Sequence, residues 1–266
     1  NTRMRYLFRG LGHGIFGIYA TSVFAAVSLS TLAAVAVTPA ITGRRQLVRH
    51  AAGTLLSLTG TRLSISGLDH VPDDPCIVIA NHSSYLDGPI LSAVLPPRFG
   101  FVIMREMTRV PFAHFLLRRI GSEFVERTDT HRGASDARRI LLKARQQESL
   151  AFFPEGSFLD EPGLRRFHNG AFAAAVRGNL PVVPVVIRGS RDMLPAARRL
   201  PRPGRIEVII KPALRASGDN PVHSLRERAR LSILEDLDEP DLLQHDQRQH
   251  TEHQEDQAER GLVEHA

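Results

Sequence analysis

The sequence predicts an α/β fold, in which a mixed, largely parallel sheet is flanked by helices and preceded by N-terminal membrane-associating helices. From about Thr61 onward, short runs rich in Val, Ile and Phe alternate with segments whose apolar residues recur at helical spacing. Such alternation is typical of a sheet covered by helices. Before Thr61 the chain is instead uncharged and apolar over a length that is sufficient to enter a bilayer.

The first segment, residues 1–60, is predicted to associate with a membrane. Residues 14–43 contain no charged side chain. Arginines lie on both sides of this stretch, so the positive-inside rule assigns no orientation. A spanning helix and a segment that enters one leaflet and returns both remain open, and a helix buried in the core is the third alternative.

The second segment, residues 61–239, is predicted to be the folded domain. Its predicted strands lie in residues 75–81, 98–104, 122–127, 149–156, 181–189 and 205–214, and its predicted helices in residues 89–95, 111–120, 135–147, 170–177 and 223–239. Pro184 interrupts the fifth strand, which predicts a sheet edge or a bulge there. The third segment, residues 240–266, has few apolar and no aromatic residues and is predicted to be a disordered polar tail.

The charge distribution indicates an anionic partner. The net charge is +6, but 10 acidic and only 2 basic residues lie from Asp236 onward, so the remainder of the chain is strongly basic. A GC-rich genome would explain the excess of arginine equally well. A nucleic-acid partner is not predicted, because the chain has no Trp, three Tyr and no recognition-helix pattern. The single Cys76 fits a reducing compartment and a buried apolar role.

The stretch "NHSSYLD" places His82 and Asp87 immediately after a predicted strand. In an α/β sheet, reactive side chains tend to occupy loops at the carboxyl ends of strands. An imidazole held by a carboxylate can take a proton from a hydroxyl. Because the chain has no G-x-S-x-G nucleophile elbow, the hydroxyl would belong to the substrate, which predicts a group transfer. By itself this spacing is weak, since an Asp at a helix start needs no catalytic role.

Three further stretches strengthen the prediction: "GSEFVER", which contains Arg127, "FPEGS" with Glu155, Gly156 and Ser157, and "VVPVVIRG". With "NHSSYLD", and in this order and spacing, they resemble the four motifs of the glycerolipid acyltransferase family, which includes the 1-acyl-sn-glycerol-3-phosphate (lysophosphatidic acid) acyltransferases. The resemblance covers residues 63–213. It implies a glycerol-3-phosphate acyltransferase-like fold.

The resemblance implies the following roles. His82 would be the general base, Asp87 would orient it, and backbone amides near the following helix start would stabilise the oxyanion. Arg127 would contact the acceptor phosphate, and Glu155, Gly156 and Ser157 would form the acceptor-site loop. Three positions depart from the commoner family pattern: Phe158 stands in place of an arginine, Glu126 of an aspartate, and Arg105 of a lysine. Arg105 keeps its charge and is predicted to help bind phosphate.

The predicted reaction moves a fatty acyl group from an acyl-CoA or acyl-carrier-protein thioester to a lysophospholipid hydroxyl. The preferred acceptor is 1-acyl-sn-glycerol-3-phosphate, which would give phosphatidic acid. Another lysolipid acceptor and a catalytically silent lipid-binding relative are the alternatives. Neither a metal nor a cofactor is predicted beyond the thioester co-substrate. The expected location is the cytoplasmic face of a bacterial inner membrane, in contact with membrane phospholipid.

Overall fold

Two long helices begin the chain and form an antiparallel hairpin. In the computed structural model, which describes residues 2–126 and 130–243, α1 is Thr2–Val37 and α2 is Ile41–Leu58. The Tyr19 hydroxyl donates to the Leu58 carbonyl over 2.9 Å, and Nε of Arg44 donates to the Thr38 carbonyl over 2.7 Å. These contacts join the two helices at both ends of the hairpin.

A single seven-stranded sheet forms the centre of the domain. Its strands are β1 (Arg62–Ser66), β2 (Ile77–Ala80), β3 (Gly100–Met104), β4 (Glu123–Val125), β5 (Leu150–Phe152), β6 (Val182–Arg188) and β7 (Arg205–Ile210). Their order across the sheet is β1-β7-β6-β2-β5-β3-β4. The five strands from β6 to β4 run parallel, whereas β7 is antiparallel to β6 and carries β1 parallel to itself. The predicted mixed, largely parallel sheet is confirmed.

Helices cover both faces of the sheet. They are α3 (Asp87–Val94), α4 (Pro111–Arg119), α5 (Thr130–Arg145), α6 (Gly170–Gly178), α7 (Ser190–Met193) and α8 (Pro221–Leu234). Helices α5, α6 and α8 bury their apolar residues in one core layer, and α2 and α3 bury theirs in the other. The fully apolar β2, with every residue buried, contributes alternate side chains to both layers, as expected of a central parallel strand.

The expectation that Pro184 marks a sheet edge is wrong, because β6 lies inside the sheet between β7 and β2. Pro184 is instead at an irregular step of the pairing. Lys211 N–H donates to the Pro184 carbonyl just beyond the end of β7, and the pairing resumes between Val182 and Leu214. Two residues of β6 therefore span three residues of the partner segment, and this bulge-like step accommodates the missing proline N–H.

Residues 240–243 extend the folded part beyond the boundary that was drawn at residue 239. The Pro240 carbonyl accepts from the Leu164 amide over 2.9 Å, and the Arg230 guanidinium binds the Asp241 carboxylate. Residues 240–243 therefore belong to the folded part and not to the predicted tail, and residues 244–266 lie outside the described residues. The remaining domain boundaries stay predictions.

Candidate active site

The predicted site residues lie at one edge of the sheet, where the five parallel strands end. His82 follows β2, Glu155 follows β5, and Arg105 follows β3. Parallel strands bring their carboxyl ends together, so residues distant in sequence meet at this carboxyl edge. Arg127, which would follow β4, lies outside the described residues.

His82 is held by the carboxylate of Asp87. Nδ1 of His82 lies 2.9 Å from Oδ2 of Asp87, which is the first residue of α3 and is fully buried. The same oxygen accepts the amides of Ser83 and Ser84 over 2.7 and 2.8 Å. Because the oxygen accepts three hydrogen bonds, we assign the proton to Nδ1, which leaves the Nε2 lone pair as the basic site of the imidazole.

Three polar residues within the same motif fix the loop to the neighbouring strand and helix. The Asn81 side chain exchanges two hydrogen bonds with the Ile187 backbone, at 2.7 and 2.9 Å, and so continues the ladder between β2 and β6. Ser83 Oγ lies 3.1 Å from Ser190 Oγ, and Ser84 Oγ donates to the Leu194 carbonyl over 2.7 Å. From the sequence, Asn81 is only a turn residue that ends the strand, and no pattern indicates the contacts of Ser83 and Ser84.

Glu155 anchors the backbone of the histidine loop. Its Oε1 accepts the His82 amide over 2.7 Å, and its Oε2 accepts the Arg165 amide over 2.9 Å. Burial raises the pKa of this carboxyl to about 7, although the two amides and the Arg165 charge act in the opposite direction. The described contacts of Glu155 therefore join two loops. Its predicted placement in an acceptor-binding loop remains a prediction.

The prediction that backbone amides near the helix start stabilise an oxyanion stays a prediction, but three amides before that helix already have acceptors. The amides of His82, Ser83 and Ser84 donate to Glu155 or to Asp87. These three N–H groups are therefore engaged in holding the loop. An oxyanion formed during transfer would have to use other donors at this edge.

Aromatic side chains enclose the His82 ring. Phe153 stacks on it at a centroid distance of 4.2 Å, and Phe158 meets it at 4.5 Å with its ring inclined by 60°. Tyr85 in turn packs edge-on against Phe158 at 4.8 Å. Such arrangements favour one orientation of the imidazole. Phe158, which departs from the family pattern, thus lies against the candidate base.

The loop after β5 is a tight turn with an arginine across it. Gly156 has φ = 82°, a conformation that favours glycine, and its amide donates to the Phe153 carbonyl over 3.0 Å. Nη1 of Arg165 donates to Ser157 Oγ over 2.8 Å. Arg165 therefore supplies a cation beside Ser157.

Arg105 lies on the other side of the edge in a cluster of acidic residues. Its Nη2 binds both oxygens of Asp136, at 3.0 and 2.8 Å, and its Nε lies 3.8 Å from Glu126. Asp136 also accepts the Glu126 amide over 2.9 Å, and hydrogen bonds hold its pKa below the usual range against the opposing effect of burial. Arg105 is thus about one-third exposed and already paired in this structure.

Comparison with known proteins agrees with this geometry. The family model described as Acyltransferase matches residues 62–188, the part of the chain that contains the carboxyl edge from β2 to β6. Residues 62–188 are an acyltransferase domain. The prediction that the chain resembles the glycerolipid acyltransferases is thereby confirmed. The prediction that it is an acyltransferase is confirmed as well. The roles of the individual site residues stay predictions.

Three curated relatives illustrate the family. This acyltransferase is 28% identical to a 1-acyl-sn-glycerol-3-phosphate acyltransferase of Pseudomonas aeruginosa over 68% of its length and 71% of the relative. It is 31% identical to a lyso-ornithine lipid O-acyltransferase of the same organism, over 58% of each chain. It is 30% identical to the mouse 1-acyl-sn-glycerol-3-phosphate acyltransferase alpha, over 66% of this chain and 64% of the relative. The chain thus spans between about half and three-quarters of the length of these relatives.

A solved structure shares the fold. The 1-acyl-sn-glycerophosphate acyltransferase PlsC of Thermotoga maritima superposes with a TM-score of 0.71, covering 85% of this chain and 97% of that one. The two sequences are 18% identical in the superposed region. The similarity therefore supports the fold.

Proposed function

We propose that this acyltransferase esterifies the free hydroxyl of a lysophospholipid, with His82 as general base. The observation that carries the proposal is the pairing of His82 Nδ1 with the buried Asp87 at the carboxyl edge. With the proton on Nδ1, Nε2 is free to take the hydroxyl proton of the acceptor. The buried carboxylate then stabilises the imidazolium that forms.

The proposed reaction balances without a protein nucleophile. The acceptor oxygen forms a bond to the thioester carbonyl carbon while its proton passes to Nε2 of His82. The tetrahedral intermediate collapses, the C–S bond breaks, and the departing thiolate takes the proton from the imidazolium. An ester and a free thiol result. The donor is the thioester of CoA or of acyl-carrier protein, which serves as a co-substrate, and the proposed reaction uses no further cofactor or metal.

The acceptor that we propose is 1-acyl-sn-glycerol-3-phosphate, which would yield phosphatidic acid. Two of the three relatives described above carry that activity in their names, which supports it. The cations at this edge, Arg105 and Arg165, with Arg127 beyond the described residues, are suited to a phosphate monoester. The relative named for lyso-ornithine lipid makes a second lysolipid class the specific alternative.

We further propose that the protein acts on the cytoplasmic face of the membrane, with α1 lying in one leaflet. In the described part of the chain, one helical stretch, Gly12–Val37, is long and apolar enough to cross a bilayer. Yet α1 contacts the domain at Gly17, which packs closely against Leu200 and Pro201, and at Val35, which accepts from Arg119. These contacts are separated by roughly 27 Å of helix. A helix that is packed against the domain over that length fits a leaflet-embedded position better than a perpendicular span.

The decisive experiment compares the parent with His82→Ala. Membranes containing each protein receive palmitoyl-CoA or oleoyl-CoA and radiolabelled lysophosphatidic acid, and the labelled phosphatidic acid is measured. We expect product from the parent and a loss of about 10²- to 10⁴-fold in the variant, because a positioned general base contributes about this much to the rate. His223→Ala, at an exposed position of α8, is the matched control and should retain full activity.

The alternatives give different results. If the parent makes no phosphatidic acid but acylates lyso-ornithine lipid or another lysolipid in a His82-dependent manner, the acceptor is wrong and the chemistry stands. Transfer that persists at the parent rate in His82→Ala would remove His82 as the base. A parent that is inactive with every lysolipid, and with both CoA and carrier-protein donors, would favour a silent lipid-binding relative.

A further inference from the structure

A compact apolar surface follows β3 at the carboxyl edge. It consists of Met107, Val110, Phe112 and Phe115, and we call it the α4 patch. All four side chains are exposed, and Phe112 is the most open at 69%. Scattered exposed apolar residues are ordinary, but four within nine consecutive residues form a contiguous patch, which is typical of an interaction surface.

The geometry of α4 shows why these side chains are outside the core. Phe112 and Phe115 are three residues apart and share one face of the helix. Ala113, Leu116 and Leu117 lie on the other side and are partly buried. The helix therefore already has an inward apolar face. The outward phenylalanines need another apolar environment.

The α4 patch is continuous with the apolar helix that we propose to lie in the membrane. Nη2 of Arg119, the last residue of α4, donates to the carbonyls of Val35 and Ala36 over 3.1 and 2.7 Å. These carbonyls belong to the last turn of α1, where the negative end of the helix dipole favours a cation. The hydrogen bonds of Arg119 place the end of α4 beside the turn of the N-terminal hairpin, where Val37 and Ile41 are exposed.

The polar residues around the patch fit a lipid surface. Arg109 and Arg118 are exposed on either side of the phenylalanines, and Glu106 is the exposed acidic residue nearby. Phenylalanine flanked by arginine is a common composition for helices that lie at the boundary between headgroups and acyl chains. A protein partner would require no continuity with α1.

We propose that the α4 patch inserts into the same leaflet as α1 and forms a second point of contact with the bilayer. This inference rests on the proposed function. One helix alone leaves the domain free to rotate about the helix axis, and a second contact removes that freedom. Because the segment of the patch starts immediately after β3, its insertion brings the carboxyl edge with His82 to the membrane surface, where a lysolipid resides.

The absence of tryptophan from the sequence permits a direct test. The variants Phe112→Trp and Leu231→Trp each carry one reporter, the second on α8 in the opposite helix layer, where Leu231 is 55% exposed. Each is reconstituted into vesicles of phosphatidylcholine and phosphatidylglycerol, with and without brominated acyl chains. We expect a blue-shifted emission and at least about twofold quenching by the brominated lipid for Phe112→Trp only.

Two outcomes would overturn the proposal. One is emission from Phe112→Trp that stays water-like and is not quenched. The other is equal quenching of Leu231→Trp, which would show that the reporters do not distinguish the two layers. Neither result depends on turnover, so a failure here is distinguishable from a failure of the proposed function.

A second variant tests the functional consequence. We expect Phe112→Ser/Phe115→Ser to lower turnover of an acceptor presented in vesicles by about tenfold, since burial of one Phe is worth about this factor or more. Turnover of the same acceptor in detergent micelles should be unchanged, because both side chains are exposed. An equal loss in both assays, or in neither, would contradict the proposed docking.

Discussion

The two sides of the carboxyl edge are built differently. Beside β2 and β5, the carboxylates of Asp87 and Glu155 are almost fully buried, and most of their hydrogen bonds go to backbone amides. Beside β3 and β4, Arg105 is partly exposed and is paired with the acidic side chains of Asp136 and Glu126. Beside β2 and β5, buried carboxylates accept backbone amides and so hold the loop backbone in place. Beside β3 and β4, the charged side chains mainly pair with one another.

The difference separates two tasks of a transferase. A base must be in place before the substrate arrives, since small displacements of a catalytic group cost large factors in rate. Buried hydrogen bonds to backbone provide that rigidity. A cation that binds a charged acceptor must instead present hydrogen-bond donors to solvent. The Arg105 side chain is about one-third exposed and can do so while it keeps its pair with the buried Asp136.

The largest effect is expected from Asp87→Asn. The neutral side chain of Asn no longer stabilises a protonated His82. Its NH2 group is a donor, so it cannot accept the backbone amides of the loop as the carboxylate does. The corresponding change in a Ser-His-Asp triad lowers kcat by about 10⁴-fold, and we expect a loss of about 10³- to 10⁴-fold here. Steady-state turnover on the acceptor measures it.

Asp219→Asn, in an exposed turn, is the control and should be neutral. Circular dichroism should show that both variants are folded. A loss below about tenfold in Asp87→Asn would mean that Asp87 only orients the loop and contributes no charge to the reaction.

An intermediate effect is expected from Glu155→Gln. The Gln carboxamide can accept one backbone amide but presents N–H to the other, so the His82 loop loses one of its anchors. We expect kcat to fall by up to about 10²-fold through displacement of the base. The acceptor KM should change much less, because the charge at the other side of the edge is untouched.

The same variant tests the titration of Glu155. Its pKa is raised from 4.5 to about 7 in the folded protein, so the folded state keeps a proton that the unfolded state has released. Between these two values the free energy of unfolding should decrease as pH rises, by up to about 1.4 kcal/mol for each pH unit. Denaturant unfolding at pH 5 and pH 7.5 measures the change. Glu155→Gln should lack this component, and parallel pH profiles of parent and variant would show that Glu155 does not titrate there.

The smallest effect is expected from Arg105→Lys. Lysine retains the positive charge but lacks the planar guanidinium, whose Nη2 donates to both oxygens of Asp136 while its Nε faces Glu126. We expect the acceptor KM to rise about threefold to tenfold, while kcat changes by less than about twofold. Arg228→Lys on α8 is the matched control. A fall in kcat at constant KM would mean that Arg105 acts on the positioning of the catalytic groups and not on acceptor binding. The proposed difference between the two sides of the edge would then be wrong.

Most of the fold was accessible from the sequence because its strands are short apolar runs with clear boundaries. The predicted strands around Ile77, Phe101 and Val183 are all present, with bounds that differ by a few residues. β1 was missed because it is short and has only two apolar residues, Leu63 and Ile65, of which Ile65 remains exposed at a sheet edge. Its pairing with β7 joins segments about 140 residues apart, which no local pattern reports.

The site was predictable where the contact is local and unpredictable where it depends on packing. His82 and Asp87 meet across a single turn at a helix start, so their contact follows from their spacing, whereas the catalytic role was predicted only with the other three motifs. Arg105 and Asp136 come from different elements, and their pairing depends on how α5 packs beside β4. The position of Phe158 against His82 likewise follows from the turn at Gly156 rather than from any pattern in the sequence.

The pairing of β1 with β7 also has a consequence for biosynthesis. Arg62 of β1 follows the N-terminal hairpin directly, but its partner Arg205 is made much later. At about 5 to 20 residues per second, the ribosome needs roughly 7 to 30 s to reach it. The hairpin is therefore translated well before the sheet can close, and pairing of distant segments is slow in itself. Contact of the hairpin with lipid during that interval would keep its apolar surface from aggregating, so targeting of the nascent chain should precede folding of the enzyme.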